Sequence, residues 1–126
     1  MKYISYSKKK NNKTKTIMTN GNGKIFINGN TIGKYFGNFF NKNFILLPLI
    51  ISNLNNKNFF VITKGGGKGS QVISIRISFC KCILLFNYNY KTIFRKLNFY
   101  SIDDRIVERK KYGYKKSRKK EQYSKR

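Results

Sequence analysis

The residues best suited to chemistry are the basic side chains of the last eighteen positions, 109–126. Ten of these residues are basic, one is acidic, and none is Leu, Ile, Val, Phe or Met. Lysine and arginine bind phosphate through charge and donated hydrogen bonds. The segment has too little apolar surface for burial to offset the entropy that it would lose on becoming ordered. It is therefore either an arm that becomes ordered against nucleic acid or a solvated, disordered tail, and we favour the arm.

The remainder of the chain is also strongly basic. Over 126 residues the formal net charge is +24, and the first acidic residue is Asp103. Such a body repels itself when alone, so we expect it to lie against a fixed polyanion. RNA or DNA phosphate is the first candidate and an anionic membrane surface the second. We predict no membrane partner. The longest apolar runs are far shorter than the roughly 20 residues that cross a bilayer, and the most apolar predicted helix is apolar nearly all round, without the basic face that a membrane surface requires.

The sequence predicts neither an enzyme nor a cofactor. It contains no His, and no set of Cys, Asp and Glu has the spacing of a metal site. Cys80 and Cys82 lie two residues apart on an apolar stretch, where we expect both to be small core residues. The carboxylates at 103, 104 and 108 alternate with Arg105 and Arg109, which favours salt bridges that hold the exit of the arm.

A glycine-rich segment, K-G-G-G-K-G-S at 64–70, joins a predicted strand to a predicted helix. Phosphate-binding loops occupy such positions, because backbone amides and a helix N-terminus attract anions. The mononucleotide pattern G-x-x-x-x-G-K-[ST] is absent, so we do not expect a nucleotide site. Two interpretations stay open: contact of Lys64 and Lys68 with RNA phosphate, or a plain tight turn.

The pattern predicts three strands after a basic lead at residues 1–15. Residues 14–19 and 24–27 are β-prone and flank an Asn/Gly turn at 20–23, which predicts an antiparallel hairpin. Residues 59–63 form the third predicted strand.

Four helical segments are predicted. They are a short turn at 31–36 capped by Thr31, a helix beginning near Pro48, a long helix at 71–86 and a shorter one at 90–97. The long helix is apolar nearly all round, so we expect it to be buried. Arg76 interrupts it and is either a structural hydrogen-bonding group, which we favour, or an RNA contact.

A set of motifs spans nearly the whole chain. Its most specific part is E-R-K-K-Y-G at 108–113 with Q-Y-S-K-R at 122–126. The other motifs, in order, are K-K-K at 8–10, G-N-G-K-I-F-I-N-G at 21–29, Y-F at 35–36, P-L at 48–49, G-G-G at 65–67 and S-I-D-D-R-I-V-E at 101–108. In order and in approximate spacing, this set resembles the bacterial-type ribosomal protein S9 family of the small subunit.

The resemblance implies a fold that the pattern alone does not give. It implies an α/β (α+β) body with a four-stranded, mostly antiparallel sheet, helices packed on one face and a left-handed β-α-β crossover, followed by a long basic C-terminal tail. We place the globular rRNA-binding body at 1–108 and the extended arm at 109–126.

The resemblance also implies a function. The expected protein is a structural constituent of the small-subunit head that binds rRNA, lies beside neighbouring small-subunit proteins and reaches peptidyl-site (P-site) tRNA with Ser124, Lys125 and Arg126. The alternative is a basic DNA-binding protein of the nucleoid type. The candidate rRNA contacts are Lys8, Lys9, Lys10, Lys64, Lys68, Arg105, Arg109, Lys110, Lys111, Tyr112, Lys115, Lys116, Arg118, Lys119 and Lys120.

The composition suggests a cellular compartment. The chain lacks Ala, and Lys, Ile, Asn, Phe and Tyr, which have A/T-rich codons, dominate it. This skew favours a ribosome inside an organelle, with a non-photosynthetic plastid (apicoplast) as the first expectation. A mitochondrion or the cytoplasm of an A+T-rich bacterium is the alternative.

Overall fold

The computed structural model describes residues 1–37 and 42–125, and it confirms a mixed α/β fold. Its strands and helices are β1 (Lys2–Lys9), β2 (Asn12–Asn20), β3 (Ile25–Ile27), β4 (Asn30–Thr31), α1 (Ile32–Phe36), α2 (Lys42–Ser52), β5 (Lys57–Lys64), α3 (Lys68–Phe86) and α4 (Lys91–Lys96). A 3-10 turn, Tyr88–Tyr90, precedes α4. The described sheet has five strands instead of the expected four, because the two residues of β4 add to one edge.

The sheet has the order β1-β2-β5-β3-β4, so the predicted hairpin between residues 14–19 and 24–27 is wrong. Strand β5 pairs antiparallel with β2 and parallel with β3, and it therefore lies between them. Asn58 of β5 explains the insertion, because its Oδ1 accepts hydrogen bonds from the amides of Asn22 at 2.9 Å and Lys24 at 3.0 Å. The Asn/Gly turn thus folds around β5.

The basic lead contains a strand that the sequence pattern did not predict. Strand β1 forms a hairpin with β2 across a two-residue loop, with Lys9 opposite Asn12. The inward positions of β1 include Ser5 and Ser7, both buried. An alternating strand is normally recognised by apolar inward residues. Here small hydroxyl side chains occupy those positions and hide the period.

Helices α2 and α3 cover one face of the sheet, as the resemblance implies. The core joins Met18, Ile27 and Phe59 of the sheet to Ile45 of α2 and Ile75 of α3, and all five are at most 1% exposed. The parallel pair β3 and β5, joined through β4, α1 and α2, is the β-α-β unit. Its left-handedness stays a prediction, and so does the division between a body and an extended arm.

The long helix is buried, as predicted, and Cys80 and Cys82 are fully buried core residues. By length and composition α3 is apolar enough to cross a membrane, which the short apolar runs did not suggest. However, 56% of that window is buried inside the protein, and the core helix of a soluble protein passes the same test. The helix therefore gives only weak evidence for a membrane span.

Two of the predicted helix starts have different outcomes. Thr31 caps α1, as predicted, because its Oγ1 accepts a hydrogen bond from the Lys34 amide at 3.4 Å. Helix α2 begins at Lys42 and holds Pro48 in its interior, so the predicted start near Pro48 is wrong. Packing of Ile45 and Leu49 into the core outweighs the hydrogen bond that an internal proline removes. The strand at 59–63 and the helices at 71–86 and 90–97 are confirmed with slightly different ends.

Hydroxyl groups fill the contact between the sheet and α3. Six such side chains are buried there: Ser5, Ser7, Thr14, Thr16, Ser74 and Ser78. Ser5 Oγ donates to the Ser78 carbonyl at 2.8 Å, and Ser78 Oγ donates to Thr16 Oγ1 at 2.7 Å. Ser7 Oγ repeats the pattern on the Ser74 carbonyl at 2.7 Å. Each hydroxyl has a partner, so this polar layer is compatible with burial.

Replacing Ser78 by Ala is expected to lower the free energy of unfolding by about 1–2 kcal/mol, because Thr16 then loses its buried donor. The measurement is urea unfolding at high salt, which screens the self-repulsion of the chain. Ser101→Ala, at an exposed position, is the control and should change stability by less than about 0.5 kcal/mol. Equal effects of the two substitutions would contradict a stabilising hydroxyl layer.

Candidate nucleic-acid interface

Three segments that are distant in sequence meet at one end of the sheet. They are the β1–β2 loop, the glycine-rich loop after β5 and residues 103–105, and we call this region the basic end. Asn12 joins the first two, because its Nδ2 donates to the carbonyls of Lys64 at 3.1 Å and Gly65 at 3.0 Å. Gly65 has a φ of +78°, and a Cβ there would lie 2.7 Å from the Asn11 carbonyl oxygen. Only glycine fits this close approach.

Asp103 attaches the third segment to the basic end. Its Oδ2 lies 2.8 Å from Lys9 Nζ, and its Oδ1 lies 2.9 Å from Arg105 Nε. These hydrogen bonds, first those from Arg105 and then that from Lys9, hold the pKa of the Asp103 carboxyl well below its usual range. The salt bridge between 103 and 105 confirms the prediction, whereas the contact with Lys9 was not foreseen. The exit of the C-terminal segment is thus tied to the first hairpin.

The structure divides the predicted contacts of the lead and the glycine-rich loop into two groups. Lys8, Lys10 and Lys64 are exposed at the basic end and make no ion pair within residues 1–37 and 42–125. Lys9 is paired with Asp103, and its side chain is only 19% exposed. Lys68 lies elsewhere, where its Nζ donates to the Tyr35 carbonyl at 3.0 Å and sits 3.7 Å from the centre of the Tyr35 ring. The glycine-rich loop therefore does not present its two lysines together.

Residues 111–120 form a closed loop, which we call the arm loop. The Lys115 amide donates to the Lys119 carbonyl at 2.8 Å, and Tyr114 pairs with Lys120 in an isolated β-bridge. Arg118 binds the Glu108 carboxylate through two nitrogens, with Nε 2.9 Å from Oε2. Gly113 has a φ of +75°, which supports the expected bend. Glu108 thus pairs with Arg118, ten positions away, and not with a neighbouring arginine as predicted.

The ion pair with Arg118 lowers the pKa of Glu108. A carboxyl whose pKa falls on folding stabilises the folded form above its unfolded pKa, about 4.3. This stabilisation is lost as the pH decreases through the lower, folded pKa. At neutral pH the arm loop is therefore held closed by a charged carboxylate.

The other predicted residues of the C-terminal segment are accessible. The exposed predicted rRNA contacts are Arg109, Lys110, Lys111, Tyr112, Lys115, Lys116, Lys119 and Lys120. Arg105 is also exposed, although Asp103 neutralises part of its charge. Ser124 and Lys125 are exposed near the chain end, and Arg126 lies outside the described residues.

Arg76 makes structural contacts, but with aromatic rings, and the alternative of a contact with RNA stays a prediction. Its guanidinium carbon lies 4.1 Å from the centre of the Phe44 ring and 4.8 Å from that of Phe99. Its buried Nε has no hydrogen-bond partner among the described residues. Burial lowers the pKa of this group. A guanidinium between two aromatic rings is stabilised by cation–π attraction, so the role of Arg76 is structural but does not depend on that nitrogen.

Comparison with known proteins agrees with this geometry. The family model for ribosomal protein S9/S16 matches residues 7–126. The chain belongs to the ribosomal protein S9 family. The small ribosomal subunit protein uS9 of Thermus thermophilus is 32% identical to it over 125 residues, which cover 98% of both chains.

A second relative supports the same family. The small ribosomal subunit protein uS9 of Mycobacterium ulcerans is 36% identical over 107 residues, covering 84% of this chain and 70% of that protein. Membership in a ribosomal protein family explains why a chain with a net charge of +24 devotes so few residues to anions. It also agrees with the segments that the structure brings together at the basic end.

Sequence reasoning missed two features of this S9 family member. One is Asn12, whose buried side chain joins the first hairpin to the glycine-rich loop. The other is the outward placement of Lys13 beside Lys8 and Lys64, which depends on the pairing of β2 with β1 and β5. The alternation of lysine with threonine at 13–16 is the signal that indicates outward lysines on β2.

Glu108→Gln is expected to weaken RNA binding by about twofold or more, although it removes a negative charge from a surface that binds a polyanion. The reason is that Arg118 loses its charged partner and the arm loop opens. Glu121→Gln is the matched control, because it removes the same charge nearby and Glu121 makes no ion pair in the described part of the chain.

The measurements for this pair are the affinity for a short RNA and amide hydrogen exchange at Lys115. Glu121→Gln should leave affinity unchanged or raise it slightly, whereas Glu108→Gln should lower affinity and speed the exchange of the Lys115 amide. If both variants bind RNA more tightly than the unaltered chain, charge alone matters and the closed loop does not.

The two cysteines are expected to be unreactive in the folded chain. Burial raises the pKa of Cys80 to about 12 and also raises that of Cys82, and the thiolate is the reactive form. A thiol-specific disulfide reagent at pH 8 should label neither residue in the folded chain and both in urea. Rapid labelling of the folded chain would disprove a purely structural role.

Proposed function

We propose that this S9 family member is a structural constituent of the small ribosomal subunit, without enzymatic activity. It binds rRNA through the basic end and the arm loop, and it contacts P-site tRNA with Ser124, Lys125 and Arg126. The observation that carries the proposal is the exposed, cationic arm loop of a ribosomal protein family member, which Glu108 closes and which follows an exit segment that Asp103 ties to the first hairpin.

The chemistry of the exposed groups supports rRNA as the main partner. Lysine and arginine neutralise phosphates without reading sequence, and such contacts position a protein on nucleic acid. Tyr112 is fully exposed and Tyr123 is 89% exposed, so both rings are free to stack on bases. The proposed rRNA contacts are those of the sequence analysis, with Lys9, Arg105 and Arg118 acting mainly through their carboxylate partners.

The proposed contact with tRNA uses the end of the chain. Ser124 and Lys125 are exposed, and three residues separate them from the arm loop. A ribosomal site that accepts every tRNA requires contacts that do not depend on base sequence, and phosphate contacts meet this requirement. The hydroxyl and the two cations of residues 124–126 fit such a role. Neighbouring small-subunit proteins are further proposed partners of the body.

The compartment is a separate proposal. We infer from the A/T-rich codon preference that the ribosome belongs to an organelle, with a non-photosynthetic plastid ahead of a mitochondrion. An A+T-rich bacterium is the other source, and the relatives named above are bacterial proteins.

Deleting residues 124–126 is expected to leave incorporation into small subunits unchanged and to weaken P-site tRNA binding several-fold. The physical reason is the loss of two cations and a hydroxyl at the tip, while the body keeps its rRNA contacts. The matched control is Lys24→Gln with Lys34→Gln, which removes two exposed charges from the body. Reconstituted subunits are assayed by sedimentation and by filter binding of tRNA.

Three outcomes decide this test. Normal incorporation with weak tRNA binding, only for the deletion, supports the proposal. Loss of incorporation would disprove the division between body and tip. An unaltered chain that fails to enter subunits and binds duplex DNA as tightly as rRNA would support the DNA-binding alternative instead.

A further inference from the structure

One face of the sheet has no helix over it in the part of the chain that the structure describes. Helices α2 and α3 pack on the opposite face. Period-two alternation turns four large side chains of β1 and β5 toward solvent, with Ile4 43%, Tyr6 62%, Phe60 42% and Ile62 47% exposed. We call this surface the open face.

The register of the strands arranges the open face in rows. In one row Ile4 pairs with Ile17, Ile17 with Phe60 and Phe60 with Phe26. The rings of Phe60 and Phe26 are stacked, with centroids 5.7 Å apart and planes at 13°. This row presents a flat apolar surface of aromatic and aliphatic groups.

The next row adds a charge to an aromatic ring. Tyr6 pairs with Lys15, and Lys15 pairs with Ile62. The Lys15 Nζ lies 5.8 Å from the centre of the Tyr6 ring. A ring with a neighbouring cation is a suitable surface for a nucleobase with its phosphate.

The third row consists of lysines alone. Lys8 pairs with Lys13 and Lys13 with Lys64 on three adjacent strands, which lie about 4.8 Å apart. Like charges directly opposite each other destabilise a sheet unless an anion lies between them. The groove of about 560 Å³ beside this row has one acidic residue in its lining, Asp104, which is too little to neutralise the row.

We propose that the open face binds an unpaired segment of RNA. The bases stack on Tyr6 and Phe60, and the phosphates lie along the lysine row toward the basic end. This proposal rests on the proposed rRNA-binding function and adds to it a second surface, separate from the arm loop. The open face places positive charges that attract phosphates beside aromatic rings on which bases stack. Binding of single-stranded nucleic acid uses this combination.

An RNA duplex fits the open face less well, because its bases are stacked on each other and offer only phosphate and sugar to the protein. An acidic protein segment would neutralise the lysine row, but its carboxylates would not stack on the aromatic rings as bases do. Lysine donates hydrogen bonds without a fixed geometry, so we expect little preference among bases.

The test uses the full-length chain and two fluorescent probes, a single-stranded 12-nucleotide RNA and a 12-base-pair RNA duplex. Tyr6→Thr keeps a β-forming residue and removes the ring. It should weaken single-strand binding about fivefold or more and leave duplex binding within about twofold. Ile50→Thr is the control, since Ile50 is 60% exposed on α2, which packs on the opposite face of the sheet, and it should change neither affinity.

A second variant covers the case in which Tyr6→Thr does not fold. Replacing Lys8, Lys13 and Lys64 by Gln should reduce the log–log salt slope for the single strand by about 2, at roughly 0.7 per phosphate. Urea midpoints of every variant establish that it is folded. Unchanged single-strand binding, or equal losses on both probes, would overturn the proposal.

Ultraviolet cross-linking in reconstituted small subunits identifies the occupant. We expect the peptide that contains Tyr6 to carry an rRNA nucleotide, whereas a cross-link from it to a neighbouring protein would overturn the proposal. If variants of the open face bind RNA normally while the unaltered chain enters subunits, this inference fails and the proposed function stands. If the unaltered chain does not enter subunits, the proposed function fails.

Discussion

Electrostatic self-repulsion is the constraint on which the rest of the structure depends. Four carboxylates oppose 28 basic side chains, which gives the net charge of +24. Two of these carboxylates form all the ion pairs found in the described residues. Asp103 ties the exit segment to the first hairpin, and Glu108 closes the arm loop. The Glu108–Arg118 pair is exposed and so contributes little to stability, whereas the Asp103–Lys9 pair is partly buried. Their importance is positional, because they hold cationic segments in defined places before an external polyanion supplies the missing negative charge.

The contact between the sheet and α3 is built under a second constraint, a composition without alanine. Where a helix approaches a sheet closely, small side chains are required, and serine is the small residue used here. Each buried serine then requires a hydrogen-bond partner, which the Ser5–Ser78 and Ser7–Ser74 pairs and the threonines of β2 provide. The result is a core whose specificity comes partly from hydroxyl pairing, since a shifted helix would leave buried donors unpaired.

These hydroxyl groups also explain how far the fold was predictable. The apolar period of α3, the cap at Thr31 and the strand at 59–63 depend on local pattern, and each was predicted correctly. Strand β1 was missed because Ser5 and Ser7 occupy its inward positions. The β2–β3 hairpin was wrong because Asn58 and the parallel pairing of β3 with β5 decide the topology, and neither is visible in a local window. At the candidate site, the charges of the C-terminal segment were evident, but the contacts of Lys9, Lys68 and Glu108 depend on tertiary structure.

The lysines of this chain fall into two structural classes that composition does not separate. Lys9 and Lys68 are held by a carboxylate or by a carbonyl and an aromatic ring, so their charge is partly used within the molecule. Lys8, Lys13 and Lys64 lie side by side on the sheet, in an arrangement that is unfavourable without an anion. Repulsion among these lysines raises the free energy of the unbound surface. A phosphate that binds there reduces this repulsion and also adds attraction, so binding is more favourable. The physical distinction between the two classes therefore lies in what surrounds each lysine and not in the number of lysines.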